Sequence, residues 1–380
     1  MKKVFYWSPC LSNVGTVSST LNSAISLSKY SKKNYEAFII NVCGEWDRYA
    51  DYLKDHNVKL INFRLKYFKL LPKEGFIQSR ISYLIIFVLS FIPLLQLLKK
   101  NKPDFIILHL ISSLPLFLLN CFSFKTKFIL RISGLPKLTK LRKFFWKLSS
   151  NKIFLVTSPT NQLIEELKIQ KIFETEKLAF LPDAIINMKI LLKKNNSNDL
   201  INKNFISNNY FIAAGRLTKQ KNFEYLINEF TEFYKQNKNY NLLIFGKGEL
   251  KKKLISLIKN KGLNNIVHLM GHKENLYYYM KKSEAFILSS LWEEPGFVLV
   301  EAAMNNSYII SSNCKNGPSE FLENGKSGTL FESDKKDALK NALVDFHNNK
   351  ENFKVKKINS KKNCKKYTMF SHYKILINML

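Results

Sequence analysis

Short apolar runs alternate with longer stretches of helical period along this chain, the pattern of strands and helices in a parallel α/β sheet. In the first half, the runs at 3–7, 36–42, 105–109, 127–132 and 153–157 read as buried strands. Helices are expected between them, including 18–29, 46–56 and 161–167. The periodicity lapses after Asn187 in a polar stretch rich in Lys, Asn and Ser, which reads as a linker. Past it the alternation restarts, with strands expected at 210–214, 241–245, 266–270, 285–289 and 308–311. The helices between these fall at 223–234, 249–261, 275–281 and 297–304, and a Lys-rich helix at 335–346 precedes a tail. The expected architecture is two Rossmann-like parallel-sheet domains facing across a cleft. The first covers 1–187, 188–209 is the linker, and the second covers 210–362. A C-terminal helix or tail at 363–380 is expected to return to the first domain.

Two segments bear on membranes. The apolar stretch 76–98 is strongest at 83–92, is interrupted by Pro93 and Gln96, and is preceded by Arg80. A spanning helix needs roughly 20 predominantly apolar residues, so a core or interfacial helix is expected here. The segment 137–147 mixes lysines and Arg142 with Phe144, Phe145 and Trp146. On a helix it would lie on an anionic membrane surface, or present a solvated lysine face over a core aromatic stripe. Together the two segments favour peripheral association with the inner face of the cytoplasmic membrane. The apolar run at the N-terminus stops too early for a signal peptide and reads as the first strand.

Composition changes this picture only in part. A hydrophobic fraction of 46% over 380 residues excludes a disordered chain and allows two cores. The net charge of +31 would suit nucleic acid, anionic lipid or phosphorylated substrates. The codon bias of an AT-rich genome, which favours Lys, Asn, Ile and Phe, accounts for it equally well. Arginine stands only at 48, 64, 80, 131, 142 and 216, where its planar fork offers phosphate what lysine does not. The five cysteines are scattered without paired spacing, which fits a reducing cytoplasm and argues against structural zinc.

The strongest candidate chemistry lies at two places. At the end of the strand 210–214, Gly215-Arg216 is followed by Lys221, so two cations converge where open α/β sheets bind ligands. Further on, Glu293-Glu294-Pro295-Gly296 breaks the backbone ahead of a helix beginning Phe297-Val298. Free N–H groups of Gly296, Phe297 and Val298 would cradle an anion there, with Glu293 before the turn and Glu301 one turn into the helix. In the first half, His109 and Arg131 each end a strand. His109 reads equally as a core histidine, and Arg131 equally as structural or as a ligand of an acceptor phosphate.

Together these elements resemble the retaining glycosyltransferases of family four, which have the GT-B fold. The resemblance rests on Gly215-Arg216-Leu217 with Lys221, Phe245-Gly246-Lys247-Gly248-Glu249-Leu250, Leu269-Met270-Gly271-His272, Glu293-x7-Glu301, and the segment from Asn316 to Gly328, in that order. It is strong from Tyr210 to Phe331 and a matter of layout before that. Ser12-Asn13-Val14-Gly15-Thr16 is similar to the family's glycine loop, with one Gly where many members have two. The chain also has Asn222 after Lys221 where Gly is common, and Glu294-Pro295 for the commoner Gly-Phe.

The resemblance implies that Arg216 and Lys221 neutralise the diphosphate of a UDP- or GDP-linked sugar, with Gly215 beside them. It implies that Glu301 binds ribose, Glu293 meets the donor sugar, Gly271 and His272 line the base pocket, and Gly15 approaches the β-phosphate. His109 would be a cleft histidine. No metal or other cofactor is expected, since two cations can take the leaving charge and the chain has no Asp-x-Asp. The implied activity is retaining transfer to a glycan acceptor, lipid-linked in surface polysaccharide or lipopolysaccharide assembly. The alternatives are a sugar-nucleotide epimerase or a phosphorylase of the same fold, or a basic nucleic-acid-binding protein resting on charge alone.

Overall fold

The computed structural model describes residues 1–11, 15–72, 76–134, 136–187, 209–273 and 275–380. They form two compact units, Met1–Ile185 with Met369–Leu380, and Ile186–Thr368. Ser12, Asn13 and Val14 of the glycine loop, and the linker up to residue 208, lie outside the described residues.

The first unit is a seven-stranded parallel sheet. Its strands are β1 (Lys2–Trp7), β2 (Tyr35–Asn41), β3 (Lys59–Asn62), β4 (Phe105–Leu108), β5 (Lys127–Arg131), β6 (Leu155–Ser158) and β7 (Leu178–Phe180), in the order β3-β2-β1-β4-β5-β6-β7. Its helices are α1 (Gly15–Tyr30), α2 (Ala50–Asp55), α3 (Phe76–Asn101), α4 (Ser113–Cys121), α5 (Lys140–Ser150) and α6 (Asn161–Gln170). Strand side chains alternate between two buried layers, as a sheet covered on both faces requires. Phe5 and Trp7 pack with residues of α3, α4, α5 and α6, while Val4 and Tyr6 pack with α1 and α2.

Helix α1 carries few large apolar residues, yet Ser19, Thr20, Asn22, Ser23 and Ser26 on it are all buried. Each is hydrogen-bonded inside the unit: Asn22 Nδ2 donates to Ala184 O at 2.7 Å, and Ser26 Oγ to Ser23 O at 2.8 Å. The final helix (Met369–Ile377) returns to this unit and packs on α1. Phe370 and Tyr373 meet the Tyr30 ring, and His372 meets Ser23 at 2.8 Å.

The second unit is a six-stranded parallel sheet of β8 (Asn209–Ala214), β9 (Tyr240–Phe245), β10 (Val267–Gly271), β11 (Ala285–Leu288), β12 (Tyr308–Ser312) and β13 (Thr329–Phe331). The order is β10-β9-β8-β11-β12-β13. Its helices are α7 (Phe223–Tyr234), α8 (Lys251–Asn260), α9 (Leu276–Lys282), α10 (Phe297–Met304), α11 (Pro318–Phe321), α12 (Ala338–Asn348) and α13 (Lys354–Asn363), which makes the returning helix α14. An aromatic cluster fills one face, with Phe211 stacked on Tyr240 at 4.8 Å and edge-on to Phe233 and Phe346.

Both units are Rossmann-like parallel sheets. The strands absent from the sequence reading are β3, β7 and β13, each the edge of its sheet and only three or four residues long. Edge strands of three or four residues offer too few positions for an apolar pattern to stand out. In the second sheet the strand order reverses between β8 and β11, opening a crevice at their carboxyl ends.

Candidate functional site

That crevice is where the second unit gathers its chemistry. Lys221 Nζ lies 2.5 Å from Glu293 Oε1, with the two side chains only 12% and 5% exposed. Ser290 Oγ donates to the same Oε1 at 2.5 Å. Among the described residues no donor reaches Oε2, which leaves that oxygen for a further partner.

The backbone explains why residues so distant in sequence meet. Gly215 N donates to Phe245 O, and the stem of Lys221 then crosses Gly215, where a Cβ would lie 2.8 Å from Lys221 Cε. A side chain at 215 would crowd the lysine stem as it folds back over the strand end, which favours glycine in the Gly-Arg-x4-Lys spacing. Asn222, at φ 49°, takes the left-handed conformation before α7, which asparagine tolerates nearly as glycine does. The loop after β8 is then sewn to the loop after β11. Leu291 N donates to Gln220 O, Gln220 Nε2 to Trp292 O, and Ser289 Oγ to Lys221 O, all at 2.8–2.9 Å. A third loop, after β12, receives Glu293 N at Lys315 O, 3.1 Å away.

Arg216 is exposed beside this cluster, with Nη2 3.5 Å from Gln220 Oε1. Gly296 sits at φ 67°, left-handed, and starts α10. Its N–H turns back to Glu294 O at 2.5 Å, so the anion cradle expected from three N–H groups is reduced to those of Phe297 and Val298, which have no partner within the helix itself. Glu301, one turn on, accepts from Tyr277 Oη at 3.0 Å. Burial and then the Glu301 carboxylate push the Tyr277 hydroxyl far above its ordinary pKa, so it stays protonated as the donor. Gly271 ends β10 at φ 68° and accepts Gly246 N at 2.8 Å; His272 after it is exposed.

Three expected site residues stand in the first unit. Gly15 is the exposed first residue of α1. His109 follows β4 with both ring nitrogens buried and unpaired, and burial, then Arg131 and His372, hold its pKa well below the ordinary value. It is therefore a neutral imidazole. Arg131, expected at an acceptor phosphate, is instead enclosed. Its side chain donates to Leu181 O at 2.5 Å and to Asp183 Oδ1 at 2.8 Å and is 1% exposed. A phosphate could reach it only by displacing those partners, so its role here is structural.

The sequence reading missed Ser290 and Tyr277. Ser290 stands three residues before Glu293, a spacing without a signature, and Tyr277 reaches Glu301 from a different helix.

A family model described as Glycosyl transferases group 1 matches residues 196–368, the span that carries this cluster. Over that span the chain is similar to the glycosyl transferases group 1, and its two parallel-sheet units are of the GT-B fold class. An uncharacterized glycosyltransferase of Methanocaldococcus jannaschii is 33% identical to it over 60% of this chain and 60% of its own length. N-acetylgalactosamine-N,N'-diacetylbacillosaminyl-diphospho-undecaprenol 4-alpha-N-acetylgalactosaminyltransferase of Campylobacter jejuni is 31% identical over 35% of this chain and 36% of its own. Neither relative is matched over two thirds of its length. Among solved structures, HepE of Anabaena in complex with UDP superposes with a TM-score of 0.72, covering 100% of this chain and 99% of that one at 13% identity. The span matched by the family model contains the residues of the β8/β11 crevice.

Proposed function

We propose that this chain transfers a sugar, with retention of anomeric configuration, from a nucleoside-diphosphate sugar to a glycan acceptor carried on a lipid. The observation that carries the reading is the Lys221–Glu293–Ser290 cluster beside Arg216 at the strand-order reversal of the second sheet. Loss of a nucleoside diphosphate builds negative charge on the leaving oxygen, and fixed cations aimed there lower the barrier. Lys221 and Arg216 supply two such cations, so the reading requires no metal ion. The N–H groups of Phe297 and Val298 add a helix N-terminus to the same charge.

Glu293 would then meet a hydroxyl of the donor sugar through Oε2, while Ser290 and Lys221 hold its other oxygen. Glu301, fixed by Tyr277, would take the ribose hydroxyls, and Gly271 with His272 would border the base. His109, in the first unit, is held neutral by burial and would serve no role that needs charge. Retention follows when the acceptor attacks from the face that the diphosphate leaves, with no covalent intermediate on the enzyme. The lipid-linked acceptor is supported by the diphospho-undecaprenol substrate in the name of the Campylobacter relative, and the diphosphate donor by the UDP in the Anabaena complex.

The test begins with a thermal-shift screen of UDP- and GDP-sugars, since a bound donor raises apparent stability. The donor so found is then incubated with a glycan acceptor, and the product's anomeric configuration is read by NMR. Retained configuration supports the proposal. Inverted configuration, or hydrolysis without transfer, contradicts it.

A further inference from the structure

Helix α3 buries only one narrow stripe of itself. Ser82, Ile86, Ser90, Leu94 and Leu98 face inward at every fourth residue. Almost everything else on it is apolar as well, and only 28% of its most apolar stretch is buried. Ile77, Ile81, Leu84, Val88 and Ile92 form an outward ridge at helical spacing, between 47% and 72% exposed. The ridge covers four turns, about 22 Å. A contiguous apolar face of this kind is uncommon on a soluble domain without a partner.

The same layer continues into α5. Helix α4 lies between, with Phe117 packed on Phe87 and Phe91 of α3 at 5.8 and 6.1 Å and α4 in turn packed on α5. On α5, Trp146 is buried while Leu141, Phe144 and Leu148 are 78%, 68% and 54% exposed. Lys140, Arg142, Lys143 and Lys147 surround them, all exposed. From Gly75 to Lys152 the chain has thirteen lysines and arginines against a single acidic residue, Asp104.

We infer that the outer face of α3 and α5 docks on an anionic lipid bilayer. A lipid surface presents phosphates above acyl chains, which matches cations flanking apolar ridges on both helices. A protein partner would need an acidic rim around an apolar groove of this particular shape. A membrane span is disfavoured by topology. The helix connects β3 and β4, two strands of one sheet, and its buried stripe packs on that sheet, so both ends lie on the same body. The inference stands on this surface alone and does not depend on the transfer reaction.

Flotation of the purified full chain with vesicles of phosphatidylglycerol in phosphatidylcholine, against phosphatidylcholine alone, tests it. The chain should float with the anionic vesicles and be released from them by alkaline carbonate. Lys140→Gln/Lys143→Gln/Lys147→Gln should lower partitioning on the order of a hundredfold, at roughly fivefold per lysine. Leu84→Ser/Val88→Ser/Ile92→Ser should remove the binding that survives high salt. All six side chains face solvent, so circular dichroism and melting should match the parent chain. Nucleoside-diphosphate binding by both variants should also be unchanged. Diphosphate binding without vesicle binding overturns the surface and leaves the donor site standing; vesicle binding without diphosphate binding does the reverse. The inference is also overturned if the variants float like the parent, if carbonate fails to release the chain, or if the serine variant dissolves a dimer without altering vesicle binding.

Discussion

Lys221 and Glu293 are 72 residues apart in sequence, on loops following different strands, and form a buried ion pair at 2.5 Å. The pair lies where the strand order reverses, so the sheet itself brings the two loops together. Removing one partner strands the other charge with little solvent, which typically costs 3–5 kcal/mol. Lys221→Met and Glu293→Gln should therefore each lower the melting temperature, and the double variant should recover most of the loss. Transfer should fall by roughly 10²–10³-fold in all three. Calorimetry with a turnover assay on the same preparations checks both halves.

Arg216 is exposed and holds little of the fold, so Arg216→Ala should leave the melting temperature within the small range of surface changes, about 0.5 kcal/mol. Its effect should fall on turnover and donor affinity. Equal turnover in the variant and the parent would remove Arg216 from the site.

Tyr277→Phe deletes the hydroxyl that donates to Glu301 Oε1. If Glu301 holds the ribose, KM for the donor should rise about fivefold, the worth of roughly one hydrogen bond, with kcat little altered. Steady-state kinetics at fixed acceptor separates the two parameters. A fall in kcat at unchanged KM would place Tyr277 elsewhere in the mechanism.

His372 predicts an acid-labile first unit. Its Nδ1–H donates to Pro182 O at 2.6 Å, which leaves Nε2 to accept from Ser23 at 2.8 Å. Burial is the chief cause that lowers its pKa to about 4 from 6.5, against the Pro182 bond, which raises it. The folded state thus binds its proton less readily than the unfolded state. The stability it contributes is complete above pH 6.5 and is lost as pH falls towards 4, a window worth about 3 kcal/mol. Burial depresses His109 in the same direction, so the full chain should melt lower at pH 4.5 than at 7.5. His372→Asn, which keeps a donor for Pro182, should melt lower at pH 7.5 and show a smaller acid slope.

Much of this site was legible in the chain itself. The periods of the strands and of the helices 223–234 and 297–304 were plain because their apolar faces are continuous. Gly215, Arg216, Lys221, Glu293 and Glu301 stood out through spacing that the backbone enforces, the lysine stem lying over a glycine. The chain's departure at Asn222 is explained by its left-handed backbone. What sequence could not show were contacts made across the fold. Tyr277 carries no mark of its distant carboxylate, and Arg131 looked like a free strand-end cation because Asp183 lies 52 residues away. The buried face of α1 was opaque for a related reason, since its serines and asparagine are satisfied by residues from the end of the unit.

The central claim is that Arg216 and Lys221 hold a diphosphate. Isothermal titration of UDP, UMP, GDP and GMP into the chain and into Arg216→Ala/Lys221→Met tests it most directly. One diphosphate should bind at least about tenfold more tightly than its monophosphate, the equivalent of 1.4 kcal/mol, and the double variant should lose that difference. Equal affinity for diphosphate and monophosphate in the parent chain, or an undiminished preference in the variant, would contradict it.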